Sequence, residues 1–215
     1  MPGLEAAQTL VAAPEAKRSA LAHSLLASPA DAPRFGVAVR RPGRALSVAK
    51  RALDLLGAGA LLLVCLPAFL AIALAVRLDG GRAFYAHPRV GRDGRIFGCL
   101  KFRSMVPDAD RRLAALIAAD PQARAEWEAT RKLRNDPRVT WIGRILRATS
   151  LDELPQLVNV LKGEMSLVGP RPVLAAELAA YYGAAAQHYL SVRPGITGPW
   201  QISGRNDTSY AQRVA

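Results

Sequence analysis

Between Leu55 and Val76 the chain runs for 22 residues without a charged side chain, and Pro67 interrupts that apolar stretch near its middle. A helix needs about 20 such residues to cross a hydrocarbon core about 30 Å thick, so the pattern predicts a membrane helix. Pro67 has no amide hydrogen and its ring crowds the carbonyl of Leu63, which predicts a bend there. Basic residues stand at both ends, Lys50 and Arg51 before the run and Arg77, Arg82, Arg89, Arg92 and Arg95 after it. Lys and Arg mark cytoplasmic flanks. Three geometries are open at this point. Taken alone, the run favours an ordinary kinked span, because proline is tolerated inside membrane helices; a buried core helix has a similar composition. The two basic flanks favour a helix that enters one leaflet, turns at Pro67 and returns to the cytoplasmic side.

Downstream the pattern shortens. Residues 82–86 and 95–102 read as strands joined by Gly91-Arg92-Asp93-Gly94, since Asp-Gly between apolar runs marks a hairpin. Pro107-Asp108 opens a helix with Leu113, Leu116 and Ile117 on one face, and a second helix around Trp127 follows Pro121. Asn135-Asp136-Pro137 reads as a turn, and a short apolar segment at Trp141 and Ile142 leads to Arg147. Residues 150–162 read as one helix with a buried stripe of Leu154, Leu157, Val158 and Leu161, and with Asp152, Gln156 and Asn159 on the opposite side. Beyond Gly163 glycine and proline become dense, leaving a helix only near 173–190. Residues 1 to about 45 lack periodicity and are rich in Ala, Pro, Ser and Arg, the composition of a disordered tail.

Charge narrows the choice of partner. The 215 residues carry a formal net charge of +12, which suits lipid headgroups, a phosphorylated substrate or nucleic acid. A nucleic-acid binder would interleave its basic residues with exposed aromatics or show a known binding fold, and the sequence does neither. Cys65 and Cys99 give no disulfide framework, and His23, His87 and His188 have no zinc-site spacing, which fits a reducing compartment.

The candidate chemistry lies at Asp152 and Glu153. Ser150-Leu151-Asp152-Glu153 has capping-box spacing, with Ser150 as N-cap and Glu153 at the third helical position, so a purely structural role is available. A catalytic role competes with it, because arginines recur nearby in rigid or glycine-relieved loops. Arg147 stands just upstream, with Arg171 in Gly169-Pro170-Arg171-Pro172, Arg193 in Arg193-Pro194-Gly195 and Arg205 in Gly204-Arg205-Asn206-Asp207. Guanidinium groups held in this way suit bidentate contact with phosphate.

Four segments carry a resemblance to a known family. Lys101-Phe102-Arg103-Ser104-Met105, Ser150 through Leu157 (SLDELPQL), Gly163 through Pro172 (GEMSLVGPRP) and Arg193 through Gly198 (RPGITG) resemble the bacterial sugar transferases. These are the monotopic phosphoglycosyl transferases, or polyprenyl-phosphate hexose-1-phosphate transferases. The likeness runs from about Lys50 to the C-terminus. Glu126 through Leu133 and Trp200 through Asp207 look most like the ExoY-type galactosyl-phosphate transferases of exopolysaccharide synthesis.

The resemblance implies an α/β (α+β) protein: a small helix-rich cytosolic catalytic domain with a β-hairpin, anchored by one re-entrant membrane helix broken at Pro67. Many members have Ser before that proline, where this chain has Leu66. The implied organisation is a basic tail over 1–45, a re-entrant helix over 46–78 and a transferase domain over 79–215. The family continues past the Gly204-Arg205-Asn206 motif for some tens of residues, so a shortened C-terminus is expected. The implied reaction moves hexose 1-phosphate, galactose 1-phosphate first and glucose 1-phosphate second, from a UDP-sugar to undecaprenyl phosphate with Mg²⁺. Asp152 maps onto the nucleophile that forms an aspartyl-phosphosugar. Glu153 maps beside it, and both are candidate Mg²⁺ ligands. Arg147, Arg171, Arg193, Arg205 and, more weakly, Lys101 are candidate phosphate contacts. Implied partners are the UDP-sugar, undecaprenyl phosphate and lipids of the bacterial inner membrane, with a homodimer left open and no nucleic acid. An inactive truncated membrane scaffold is the alternative from another class.

Overall fold

A computed structural model describes residues 44–130 and 133–198. The sequence expectations for the tail over 1–43, for Arg205 and for the 200–207 motif lie outside the described residues. In chain order the elements are α1 (Arg44–Leu78), β1 (Phe84–Val90), β2 (Ile96–Phe102), α2 (Ala109–Ala119), α3 (Pro121–Thr130), α4 (Trp141–Thr149), α5 (Gln156–Lys162), β3 (Ser166–Val168), α6 (Ala175–Tyr181), α7 (Ala186–Ser191) and β4 (Gly195–Thr197). Short 3-10 turns occupy Arg92–Gly94, Leu151–Glu153 and Gly183–Ala185. The chain is thus helix-rich with two small sheets, β1-β2 and β3-β4.

The apolar run forms one 35-residue helix with Pro67 inside it. Among the described residues α1 alone is long and apolar enough to cross a membrane. Its side chains are unusually bare: Leu56, Leu63 and Val64 are 72%, 72% and 77% exposed. Each such side chain gains roughly 2 kcal/mol on leaving water, so a row of them favours lipid.

The hairpin forms as its turn chemistry directs. Asp93 (φ 60°) and Gly94 (φ 76°) both take the left-handed region, which glycine enters without penalty and Asp tolerates better than most residues. The helices after Pro107 and Pro121 also form where expected. The reading of 150–162 as a single helix is corrected. Ser150 is left-handed (φ 59°, ψ 15°) and makes no side-chain cap bond, so the capping box does not exist. A 3-10 turn carries Asp152 and Glu153, and the α-helix starts only at Gln156; Pro155 has no amide hydrogen with which to close an α turn back to Leu151. The buried stripe is also rotated: Gln156, Leu157, Asn159 and Val160 are the buried positions. Asn159 repays its burial by donating to Gly98 O (2.8 Å) and Glu164 Oε2 (2.6 Å). Likewise the helix expected near 173–190 is two short ones, divided at Gly183 with φ 44°.

The described chain falls into two units. One comprises 44–63, 86–99 and 156–198. Its core is Val90, Val173, Leu178, Tyr189 and Leu190. The Tyr189 hydroxyl donates to Val90 O (2.6 Å) and accepts from Val173 N–H (3.2 Å). β3 and β4 pair in parallel, Ser166 with Gly195 and Val168 with Thr197. The base of α1 is held here by polar contacts. Arg51 donates to Val160 O (2.7 Å) and Leu161 O (3.1 Å), capping the end of α5. The carboxylate of Asp54, 2% exposed, accepts from Lys50, from Ser166 Oγ (3.0 Å) and from Leu167 N–H (3.0 Å).

The other unit comprises 64–85, 100–130 and 133–155. Phe69, Phe84 and Phe102 form a ring cluster with centroids 5.0–5.7 Å apart. Val76, Ala83 and Leu146 are buried beside Phe102, with Ile72, Ile142 and Leu154 against them. Arg103 donates to Val76 O (2.7 Å), Arg82 O (2.9 Å) and Met105 O (3.2 Å). It ties the end of α1 to the start of the hairpin.

Candidate active site

The site grows from α4. Thr140 caps its first turn, accepting from Gly143 N–H at 3.0 Å, and Ile142 and Leu146 turn into the core. That leaves Arg144 and Arg147, three residues apart and hence on one face, exposed to solvent. Arg147 Nε donates to Ser104 Oγ at 2.9 Å. The left-handed Ser150 then ends the helix and reverses the chain, so the turn at 151–153 delivers two carboxylates to Lys101 on β2. Lys101 Nζ lies 2.7 Å from Glu153 Oε1 and 3.5 Å from Asp152 Oδ2.

The two carboxylates live in different surroundings. Asp152 is buried at 8% exposure, while Glu153 is half-buried. Burial pushes the Asp152 carboxyl above the usual range, and the adjacent Glu153 charge adds to this; Lys101 and Arg147 pull the other way. The group is a partly desolvated carboxylate with cations on hand, able to attack an electrophilic centre or to join a metal.

The family model described as bacterial sugar transferase matches residues 45–215. The chain belongs to the bacterial sugar transferase family. A UDP-galactose-lipid carrier transferase of Erwinia amylovora is 56% identical over 165 residues, covering 77% of this chain and 34% of that protein. The exopolysaccharide production protein ExoY of Rhizobium meliloti is 53% identical over 189 residues, covering 87% of this chain and 82% of that protein. An undecaprenyl-phosphate galactose phosphotransferase of Salmonella typhimurium is 53% identical over 165 residues, covering 77% of this chain and 34% of that protein. This sugar transferase chain therefore spans about a third of the Erwinia and Salmonella relatives and most of the Rhizobium one.

Of the residues singled out in the sequence, the fold brings together Lys101, Arg147, Asp152 and Glu153 in one of the two units. Arg171 and Arg193 belong to the other unit. Arg171 is exposed in the loop after β3. Arg193 donates from Nε to Gly163 O at 2.7 Å, and its guanidinium pKa is lowered by burial and by Arg92 and Arg51.

The sequence reading missed the surroundings of Arg147. A cleft of about 830 Å³ is lined by Met105, the 133–139 segment, Arg144 and Arg147. In it Arg138 is bound to Asp136 through two bonds (2.8 and 2.7 Å) and lies 5.0 Å over the Trp127 ring. Burial raises the Asp136 pKa, but the bonds from Arg138 outweigh it and hold the carboxyl below its ordinary value. The turn signal at Asn135-Asp136-Pro137 located this segment without revealing the wall it builds. Among the described residues no three His, Cys, Asp or Glu side chains converge on a metal position. Two neighbouring carboxylates nonetheless suit Mg²⁺, which commonly takes one or two carboxylates and fills its shell with water and substrate phosphate.

Proposed function

We propose that this chain transfers a hexose 1-phosphate from a UDP-sugar to undecaprenyl phosphate through a covalent intermediate on Asp152. The observation that carries the reading is the buried Asp152 carboxylate beside Lys101, Glu153 and Arg147 in a member of the sugar transferase family. An Asp152 oxygen attacks the phosphorus bearing the sugar and breaks its bond to the bridging oxygen, which leaves as UMP. An oxygen of the lipid phosphate then attacks the acyl phosphate, giving the lipid diphosphate sugar and returning the carboxylate. Carboxylate and diphosphate repel, so Lys101 and Arg147 act by neutralising charge around the phosphorus. Mg²⁺ held by Glu153 and Asp152 would add charge neutralisation to the same centre. The relatives' names favour galactose over glucose. Purified protein should release UMP from UDP-galactose when supplied with Mg²⁺ and undecaprenyl phosphate; no release from either UDP-galactose or UDP-glucose would leave the scaffold reading.

The pH dependence follows from the direction of the Asp152 shift. The nucleophile must be ionised, so kcat/KM should fall as pH drops through a midpoint above the ordinary aspartate value of 3.8. Lys101→Met removes a charge that favours ionisation and should move that midpoint further up. An unmoved acid limb in this variant would separate Lys101 from the Asp152 titration.

We further propose a transferase domain over 79–215 and a re-entrant helix over 46–78 that turns at Pro67, with both ends at the cytoplasmic face of the inner membrane. The basic flanks support this topology. Cysteine reporters placed in the 1–45 tail and in the β1-β2 turn should both resist a membrane-impermeant thiol reagent in intact cells. Labelling of the tail reporter alone would mean that α1 spans the bilayer.

A further inference from the structure

We propose that the cleft between the 133–139 segment and α4 is the nucleoside diphosphate subsite, with Arg144 as a cation that binds the diphosphate. The proposal rests on the transferase reading above and extends it to residues that the acidic pair does not include. The cleft volume, about 830 Å³, lies within the range of small-molecule sites, roughly 300–1,000 Å³. Its charge is lopsided: Arg134, Arg138, Arg144 and Arg147 line it against a single acid, Asp136. Arg138 and Asp136 neutralise each other in a pair whose side chains are 8% and 10% exposed, so that pair forms a wall. Arg134 and Arg144 have no side-chain ion pair among the described residues, and Arg147 spends only Nε, on Ser104.

Two guanidinium groups without an ion pair, Arg134 and Arg144, and the remaining fork of Arg147 match an anion of two or more charges. A diphosphate can be gripped by Arg144 and Arg147 from adjacent turns of one helix, each with a planar fork suited to phosphate oxygens. The rest of the lining suits a nucleoside. Met105, Leu133, Pro137 and Val139 supply an apolar wall for a base or ribose face, and the Asn135 amide can offer both a donor and an acceptor to a base edge. Arg147 joins the two regions, since its charge acts on Asp136 and also on Asp152. A donor seated here with its nucleoside toward 133–139 would place its diphosphate toward the nucleophile.

The test is calorimetric titration of the purified full chain with UDP, alongside steady-state kinetics. Arg144→Ala should weaken UDP binding by about ten- to a hundredfold, the loss expected for a charged hydrogen bond. It should also raise KM for UDP-galactose while leaving KM for undecaprenyl phosphate unchanged. Asn135→Ala should weaken UDP but not inorganic diphosphate. Arg144→Lys should recover part of the affinity. Unchanged UDP affinity in Arg144→Ala would overturn the subsite, as would a rise confined to the KM for undecaprenyl phosphate. UDP binding that depends on Arg144 without UMP release would sink the transferase reading and keep the subsite. UMP release with no dependence on Arg144 would do the reverse.

Discussion

Asp152→Asn protein, incubated with a UDP-sugar and no lipid acceptor, should gain no mass, whereas the wild-type chain should gain one hexose phosphate. Loss of a nucleophile removes turnover by about 10⁴-fold or more, and the isosteric amide preserves the shape of the turn. Stability provides the second readout. With its pKa raised in the fold, Asp152 binds its proton more tightly folded than unfolded. Stability therefore falls as pH rises from the unfolded value to the folded one and stays lower above it. At neutral pH the substitution should leave the unfolding temperature unchanged or higher. A merely structural charge at a helix start would instead cost about 0.3–1 kcal/mol on neutralisation. Glu153→Gln should keep the fold and lower turnover. An adduct on Asp152→Asn would assign the nucleophile to another residue.

Gly143→Ala should fail in the opposite way, through the fold. A Cβ at this position would stand 2.0 Å from the Ser104 carbonyl oxygen and 2.7 Å from its carbon. Backbone meets backbone there, so α4 must move away from the segment after β2. Overpacking of this kind costs about 3 kcal/mol or more. Arg147 would lose its Ser104 partner in the same movement, because both contacts are made along one edge of α4. The expected result is a large fall in unfolding temperature with loss of activity. A variant that melts with the wild type would mean that the approach of α4 to Ser104 is loose in solution.

The sequence disclosed what depends on local chemistry and hid what depends on long-range partners. The apolar helix, the Asp-Gly turn and the helix starts after Pro107 and Pro121 follow from periodicity and backbone preference. The pairing of Lys101 with Asp152 and Glu153 links residues 51 and 52 positions apart, and only the resemblance to the family brought them together beforehand. Ser150 misled because its spacing to Glu153 is that of a capping box, while its backbone is left-handed and works as a chain reversal. The buried face of α5 was misjudged for a related reason. Asn159 reads as polar and outward until its partners Gly98 and Glu164 are known. β3 and β4, three residues each, are too short for an alternation to register. The cleft was invisible because its arginines are scattered through a turn and a helix without a repeating interval.

The contacts at the base of α1 also bear on how the protein is made. Lys50, Arg51 and Asp54 leave the ribosome early, yet their partners at Val160, Leu161, Ser166 and Leu167 lie 109 to 116 positions later in the chain. During synthesis the apolar helix is complete long before anything exists to hold its root. On the proposed topology, lipid and flanking charge act on α1 before the downstream chain can fasten its root.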